Sequence, residues 1–485
     1  MITILDCYTD EPAGLGVPPY LGTYPRYIAG SLSEMPNYIT IDDLRFFKYY
    51  NLDDKKKEVS HKTNIKIYNL TKNIGKIKEV LQDTTELIII AGVHTPGKYL
   101  SAIPGTLKEI IELTKDISCK KILTGPAVYG SSVEGGRFAE KVDLSSFDMV
   151  KDFNFSYDDI NEFAIKGAEI IKQIPKLRVV ELESSKGCSR KVHCSFCTEP
   201  LKNKLEFRTG KDIINEVKAL GKLGVKNFRV GKQSCYYAHP EAAEIVKDIR
   251  KECKIDVLHI DNVNPMNVVS KKGIEITKAI VKYCTPGNVA AFGVESFDPA
   301  VIKENNLNAD PEVTYEASRI LNKYGAEKGE NGMPKFLPGI NLLFGLIGES
   351  KDTNKYNVDW LKRLLDEGLL IRRINVRQVD IFSGTPLHEK VGNKFIRKNK
   401  KYYWKWRNDI RQNIDFEMLK KLVPVGSVLN NVRMEVYDGN TTFGRQIGTY
   451  PLIAGVKGRL ELGKFYNLKV SKHMLRSVTA VVEND

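Results

Sequence analysis

Between residues 179 and 381 the chain repeats one pattern six times, a short apolar run rich in β-branched residues followed by an amphipathic stretch at helical spacing. A two-residue period that switches to a 3.6-residue period and back predicts parallel strands joined by helical crossovers. The strands are expected at 179–183, 227–230, 256–260, 289–294, 339–344 and 373–381, with helices at 210–223, 239–251, 271–283, 311–323 and 355–367. Six such units predict a partial or complete β/α barrel, in which reactive groups collect at the C-terminal ends of the strands.

The flanks read differently. Residues 1–175 alternate apolar runs at 2–5, 64–68, 87–91 and 121–123 with helical stretches such as 105–114, which predicts a Rossmann-like parallel sheet. Turns at 7–16, 92–97 and 125–130 follow three of those runs, where an open α/β sheet binds ligands, and the charged stretch 51–62 reads as an exposed loop. Residues 391–422 form a basic, aromatic linker, and 423–485 carry short strands with Gly-rich turns at the rhythm of a small OB-like β-barrel. The fold class expected is therefore α/β, in three parts: the Rossmann-like sheet, a partial (β/α)6 core at 176–390 and the terminal barrel. A length of 485 residues accommodates this at the usual ~100–200 residues per domain.

No run of about 18 uncharged apolar residues predicts a membrane span. The opening MITILDCYTDEP lacks the basic and apolar regions of a secretory signal, so a cytoplasmic location without membrane association is expected. Eight cysteines in so long a chain are too sparse for a disulfide scaffold, and clustered ones then read as metal ligands. The net charge of +14 is concentrated in residues 391–485, which hold 18 Lys and Arg against 8 Asp and Glu. That concentration fits either a solvated lysine-rich surface or a face for polyanions.

The cysteine cluster follows the first strand of the six-unit series. Cys188, Cys194 and Cys197 form C-x5-C-x2-C within one loop. A [4Fe–4S] cluster normally takes four thiolates, so three leave one iron open for a substrate or cofactor. The alternative is a structural zinc site of the three cysteines with His193, since C-x2-C is also a zinc spacing. The isolated Cys235, Cys253 and Cys284 read as small core residues.

With the loop in that position, the segment 179–387 resembles a radical S-adenosylmethionine (SAM) core of the archaeal iron–sulfur oxidoreductase type, near the methylthiotransferase and cobalamin-dependent branches. Phe196 matches the aromatic residue between the last two ligands, and Phe228-Arg229-Val230-Gly231-Lys232-Gln233 matches the turn that receives the SAM amino group. Gly293-Val294-Glu295-Ser296 resembles the fourth-strand segment that contacts SAM. Gly345-Leu346-Ile347-Gly348-Glu349-Ser350 and Ile374-Asn375-Val376-Arg377 resemble the later turn and sixth strand of those branches. The resemblance implies a cluster on Cys188, Cys194 and Cys197, and SAM contacts from Phe196, Gly231, Lys232, Glu295, Ser296, Gly345 and Arg377. Two departures stand out: five residues separate the first two cysteines where three is commonest, and the glycine turn lacks an acidic side chain. As alternatives, Glu295 would cap a turn, Arg377 would pair with a core carboxylate, and the glycines would serve tight turns. His259, Asp261, Asn262 and Asn264 read either as substrate-positioning groups or as a hydrogen-bonded turn.

The N-terminal part resembles a cobalamin-binding domain through Thr124-Gly125-Pro126-Ala127, but lacks the Asp-x-His-x-x-Gly signature that supplies a lower ligand. His94 is the only nearby candidate and reads better as a turn residue. Only Cys7 and Cys119 precede Cys188, too few for a methylthiotransferase's auxiliary cluster. The C-terminal part resembles a TRAM domain through stretches such as Thr442-Phe443-Gly444-Arg445 and Asn467-Leu468-Lys469-Val470, which implies an RNA partner, tRNA first among them. Lys400-Lys401-Tyr402-Tyr403-Trp404-Lys405-Trp406-Arg407 mixes phosphate-binding and base-stacking types, with a packed amphipathic helix as the alternative. The leading expectation is a radical SAM enzyme modifying RNA, reduced by a ferredoxin- or flavodoxin-type protein. A cobalamin- and SAM-dependent methyltransferase of a small molecule or protein is the second, and a non-catalytic RNA-binding metalloprotein the third.

Overall fold

A computed structural model describes residues 1–9, 21–49, 69–94, 103–175, 179–308 and 310–483. The chain divides into two compact units: Met1–Leu182 with Arg208–Phe228 and Cys253–Ile255, and Glu183–Phe207 with Arg229–Glu252 and Asp256–Asp485.

The first unit is built on a parallel sheet of β1 (Ile2–Asp6), β2 (Asn37–Thr40), β3 (Glu86–Ile90), β4 (Lys120–Thr124) and β5 (Met149–Val150), ordered β2-β1-β3-β4-β5. Ile39, Leu5, Leu87, Ile89 and Leu123 pack with Leu44 of helix Ile41–Tyr49 and Ile110 of helix Leu107–Thr114. The strand expected at 64–68 and the loop at 51–62 lie outside the described residues, as does the loop at 10–20. Strand β2 escaped the sequence reading because its four residues pass straight into a helix, too short a run to show a period.

Helices Thr23–Ser31 and Tyr157–Gly167 cross at two glycines. A Cβ on Gly30 would lie 2.0 Å from the Phe163 carbonyl oxygen, and one on Gly167 only 1.8 Å from that of Arg26, so any side chain would force the helices apart. The crossing holds Arg26 where its Nη2 donates to Glu216 at 2.8 Å, and Arg208 donates to the same carboxylate. All three side chains are fully enclosed, so loss of one partner would leave an uncompensated buried charge.

Strands β6 (Val179–Glu183), β9 (Asn227–Lys232) and β10 (Val257–Ile260) are ordered β10-β9-β6, and a short antiparallel pair, β7 (Ser185–Lys186) and β8 (Glu206–Phe207), follows β6. In the second unit β11 (Asn288–Glu295), β12 (Phe336–Phe344) and β13 (Arg373–Gln378) form a parallel sheet in that order. The fold is thus the mixed α/β class expected, its six core strands falling where the alternation placed them within a few residues. β12 starts three residues early because Pro338 and Gly339, which read as breakers, are tolerated: the Pro338 carbonyl still accepts from Arg372 N at 2.8 Å.

The chain ends in a closed five-stranded barrel, β14 (Val428–Asp438), β15 (Thr441–Gln446), β16 (Ile453–Lys457), β17 (Phe465–His473) and β18 (Ser477–Val482), ordered β14-β15-β16-β18-β17. Its core is continuous with the β/α half, since Leu429, Met434, Leu468 and Val470 share one apolar cluster with Met333, Leu337 and Leu419. Residues 394–410 of the basic linker form one helix, Lys394–Ile410, whose buried positions Ile396, Asn399, Tyr403, Trp406 and Ile410 recur at three- and four-residue steps. Among the described residues no helix is long and apolar enough to cross a membrane.

Candidate functional site

The cysteine loop is held by hydrogen bonds that its sequence does not advertise. Asn305, fully buried after helix Pro299–Glu304, accepts through Oδ1 from Ser195 Oγ at 2.6 Å and from Ile347 N at 3.2 Å, while its Nδ2 donates to the Ile347 carbonyl at 2.8 Å. The Asn305 carbonyl also accepts from Ser195 N, and the Ser195 carbonyl accepts from Leu387 N at 2.8 Å. One side chain therefore ties the loop after β6 to the turn after β12. At the loop entrance Glu199 accepts from Gly187 N at 2.8 Å, and Gly187 has φ 72°, a left-handed conformation that suits glycine. Cys194 and Phe196 pack against an apolar cluster of Val301, Leu346, Ile347, Val379, Leu387 and Ile396.

Cys188, Cys194 and Cys197 are half-buried free thiols. Burial above all pushes Cys194 up to about 11 and Cys197 up to about 12. Such thiols stay protonated at neutral pH unless a cation compensates, which fits ligands that ionise on taking up metal. Arg190 Nη1 donates to Cys194 Sγ at 3.0 Å and supplies part of that compensation. Among the described residues no three His, Cys, Asp or Glu side chains converge on the single centre that one ion needs. A cubane cluster gives each thiolate an iron of its own and does not require such convergence.

Glu295 ends β11 at a bulge with φ 63°, a strained setting for a residue other than glycine. Burial pushes its carboxyl up to about 7, and Arg377 on β13 pulls the other way. Its charge is felt at Cys194, so Cys194, Glu295 and Arg377 lie within electrostatic range of one another. The other proposed SAM contacts are engaged in the scaffold. Lys232 Nζ lies 2.5 Å from the buried carboxylate of Glu183. Ser296 Oγ accepts from Asp298 N, and Gly345, with φ 97°, donates its N–H to Glu349 at 2.6 Å. Burial pushes Glu349 up to about 7, with Asn399 donating to its other oxygen. Gly231 lies within β9, and Phe196 serves the apolar packing.

A second polar group joins the anticipated His259 and Asp261 to two residues the sequence did not single out, Thr449 and Tyr450. Arg229 Nη1 lies 2.6 Å from Asp261, and the hydroxyl of Tyr450 donates to the same carboxylate at 3.0 Å. Tyr450 belongs to the loop between β15 and β16 of the terminal barrel. It has φ 52°, the Arg373 guanidinium stacks 4.0 Å from its ring, and its carbonyl accepts from Arg372 at 2.8 Å. Beside it Thr449 N donates to His259 Nδ1 at 2.9 Å. Nothing in Gly448-Thr449-Tyr450 marks such a role in the sequence. Asn264 caps helix Pro265–Val268, and Asn262 donates to the Gln233 carbonyl, as a hydrogen-bonded turn requires. Cys235 is buried and accepts from Asn264 N.

In the first unit, Asp6 accepts from Tyr8 N and from the Tyr38 hydroxyl, both at 2.9 Å, and burial pushes its carboxyl up to about 6. His94 Nε2 lies 3.0 Å from the Pro126 carbonyl and 2.9 Å from that of Gly130. Those contacts tie His94 to the turn at 126–130.

Comparison with known proteins agrees with this geometry. Residues 182–361 match the Radical SAM superfamily, a span that contains the cysteine loop and Glu295. An uncharacterized protein of Methanocaldococcus jannaschii is 41% identical over 99% of this chain and 93% of its own length. Another from Archaeoglobus fulgidus is 37% identical over 99% of this chain and 89% of its own. In fold, the chain is similar to TsrM from Kitasatospora setae, a radical SAM methyltransferase solved with cobalamin and a [4Fe–4S] cluster. That likeness has a TM-score of 0.51 at 12% identity and covers 80% of this chain and 77% of TsrM. A second TsrM structure, with tryptophan and a SAM analogue, gives a TM-score of 0.52 at 11% identity, covering 80% and 75%. The chain belongs to the radical SAM superfamily and is an enzyme of the kind that uses a [4Fe–4S] cluster and SAM.

Proposed function

We propose that Cys188, Cys194 and Cys197 hold the cluster and that the enzyme modifies RNA, with the terminal barrel gripping the nucleic acid. The observation that carries the cluster assignment is the cysteine loop itself, three thiols fixed through Asn305 beside Glu295 and Arg377. A cluster bound there supplies the electron for reductive cleavage of SAM. Around it, Arg190 offsets thiolate charge, the apolar cluster under Phe196 excludes water, and Glu295 and Arg377 offer one group of each sign to a zwitterionic ligand. The RNA assignment rests on the barrel, whose surface exposes Lys457, Arg459 and Lys472. It is tested by tRNA affinity of the full-length Lys457→Glu, Arg459→Glu, Lys472→Glu variant. A loss of tenfold or more that shrinks as salt rises supports it, and unchanged affinity sinks the RNA half. Excising the barrel is a poorer test, because its apolar core continues into Met333 and Leu337.

The second reading is a cobalamin- and SAM-dependent methyltransferase. It is favoured by the N-terminal parallel sheet and by the fold likeness to TsrM, which holds cobalamin. Lacking the Asp-x-His-x-x-Gly signature, this chain would hold cobalamin without that signature's histidine on cobalt. Retention of cobalamin by anaerobically reconstituted protein supports that reading, and a colourless wash-through removes it.

A further inference from the structure

We infer that the helix Lys394–Ile410 is the docking face for an acidic one-electron donor protein serving the cysteine loop, an inference that rests on the cluster assignment above. The helix carries seven Lys and Arg against one Asp. Its two faces do different things. The inner face packs where the cysteines are: Ile396 shares one apolar cluster with Cys194 and Phe196, and Asn399 donates to Glu349 at 2.8 Å. The outer face exposes Lys394, Arg397, Lys398, Lys400, Lys401, Trp404 and Lys405. None of those cations forms an ion pair among the described residues.

So dense a group of uncompensated positive charge costs self-repulsion and steers acidic partners. Redox encounters use small, charged interfaces of under about 1,200 Å², which the outer face of a 17-residue helix can supply. The aromatic residues decide against nucleic acid here. Single-strand binders stack successive bases on exposed rings in a groove. On this helix Tyr403 and Trp406 are buried against Phe344, Tyr402 stacks on Trp406, and only Trp404 stands out, 63% exposed on a convex face. One exposed aromatic ringed by lysines suits a small protein interface better than a strand of bases. The transfer moves one electron and no atoms: the donor's flavin or iron–sulfur group is oxidised by one electron, and the cluster is reduced by one.

The test is binding of a fluorescently labelled, acidic flavodoxin to the full chain, followed by anisotropy, which does not require a loaded cluster. Lys398→Glu, Lys401→Glu and Lys405→Glu together are expected to weaken binding at least tenfold and to flatten its salt dependence. The corresponding Lys→Gln triple should lose less and the Lys→Arg triple almost nothing, which separates charge from misfolding. Unchanged flavodoxin affinity in the Glu triple overturns the proposal. Equal loss of tRNA affinity in that triple also overturns it, in favour of a general phosphate-binding face. Failure of the cluster assignment reads differently: the wild type would lack the iron–sulfur chromophore after reconstitution, whatever its affinity for flavodoxin.

Discussion

Two loops bring chemistry to the strand ends of the β/α half, and they arrive by opposite routes. The loop at 188–197 leaves β6 within a few residues and carries its reactive groups as a local pattern of three cysteines. The loop between β15 and β16 comes from a different module, about 190 residues beyond the side chains it meets, Asp261 and His259. The first is recognisable because its spacing is its function. The second is ordinary in sequence, and its role exists only because the barrel shares an apolar core with Met333 and Leu337 and so aims the loop. Both are braced by a buried polar residue, Asn305 in one case and His259 in the other. A terminal module is therefore part of the core's architecture even when its own sequence suggests an appendage.

Four experiments would sharpen or break this contrast. The largest effect is expected from replacing Cys188, Cys194 or Cys197 with Ala, each of which should abolish the iron–sulfur chromophore and reductive SAM cleavage. Retention of both after the triple replacement would remove the cluster loop from the comparison. Next is Asn305→Ala, which strands the Ile347 N–H and carbonyl and the Ser195 hydroxyl in a buried site. It should cost about 3 kcal/mol in chemical denaturation and speed cluster loss, at roughly 1–3 kcal/mol per unsatisfied group. A variant as stable as wild type would show that the apolar packing of Phe196 alone sets the loop.

The third concerns pH. Burial holds His259 at about 4, below its ordinary 6.5, while its neutral Nδ1 accepts from Thr449. A depressed histidine pKa gives stability that is fully present above the unfolded value and is lost as pH falls from 6.5 toward 4. The loss should be about 1.4 kcal/mol per pH unit in that window, or roughly 2 kcal/mol by pH 5. His259→Gln should flatten this dependence when denaturation midpoints at pH 7 and pH 5 are compared, and an unchanged slope would assign it elsewhere. The smallest effect is Tyr450→Phe, which deletes the hydroxyl on Asp261 but leaves Arg229 in place. A loss of about 1 kcal/mol is expected. A drop in SAM cleavage at unchanged stability would instead put Tyr450 within the reacting chamber.

Much of the fold was legible because the core strands are bounded by helices with strong amphipathic periodicity, as in Gly210–Lys222 and Lys271–Tyr283. Strand β2 was not, being only four residues long, and the start of β12 was hidden by a proline and a glycine that a parallel strand can accommodate. At the site, the cysteines, Glu295 and Arg377 were legible as candidates because each sits in a motif-like stretch at a strand end. Gly345, Ser296 and Lys232 carry motif-like surroundings, yet the structure gives each a scaffold partner. Asn305 and Tyr450 left no trace in the sequence, because each acts through residues distant in the chain.

By itself the sequence determined the alternation that yields six βα units, the thiol pattern of the loop and the charge of the last fifth of the chain. These are local properties, set by side-chain period, spacing and ionisation. Only the tertiary structure decided which polar groups meet: Asn305 with Ser195, Tyr450 with Asp261, and the lysine-rich helix laid over the cysteine loop through Ile396. Those pairings follow from closing long loops around shared apolar cores. The cores fix them because burying an unpaired polar group costs more than the order required to satisfy it.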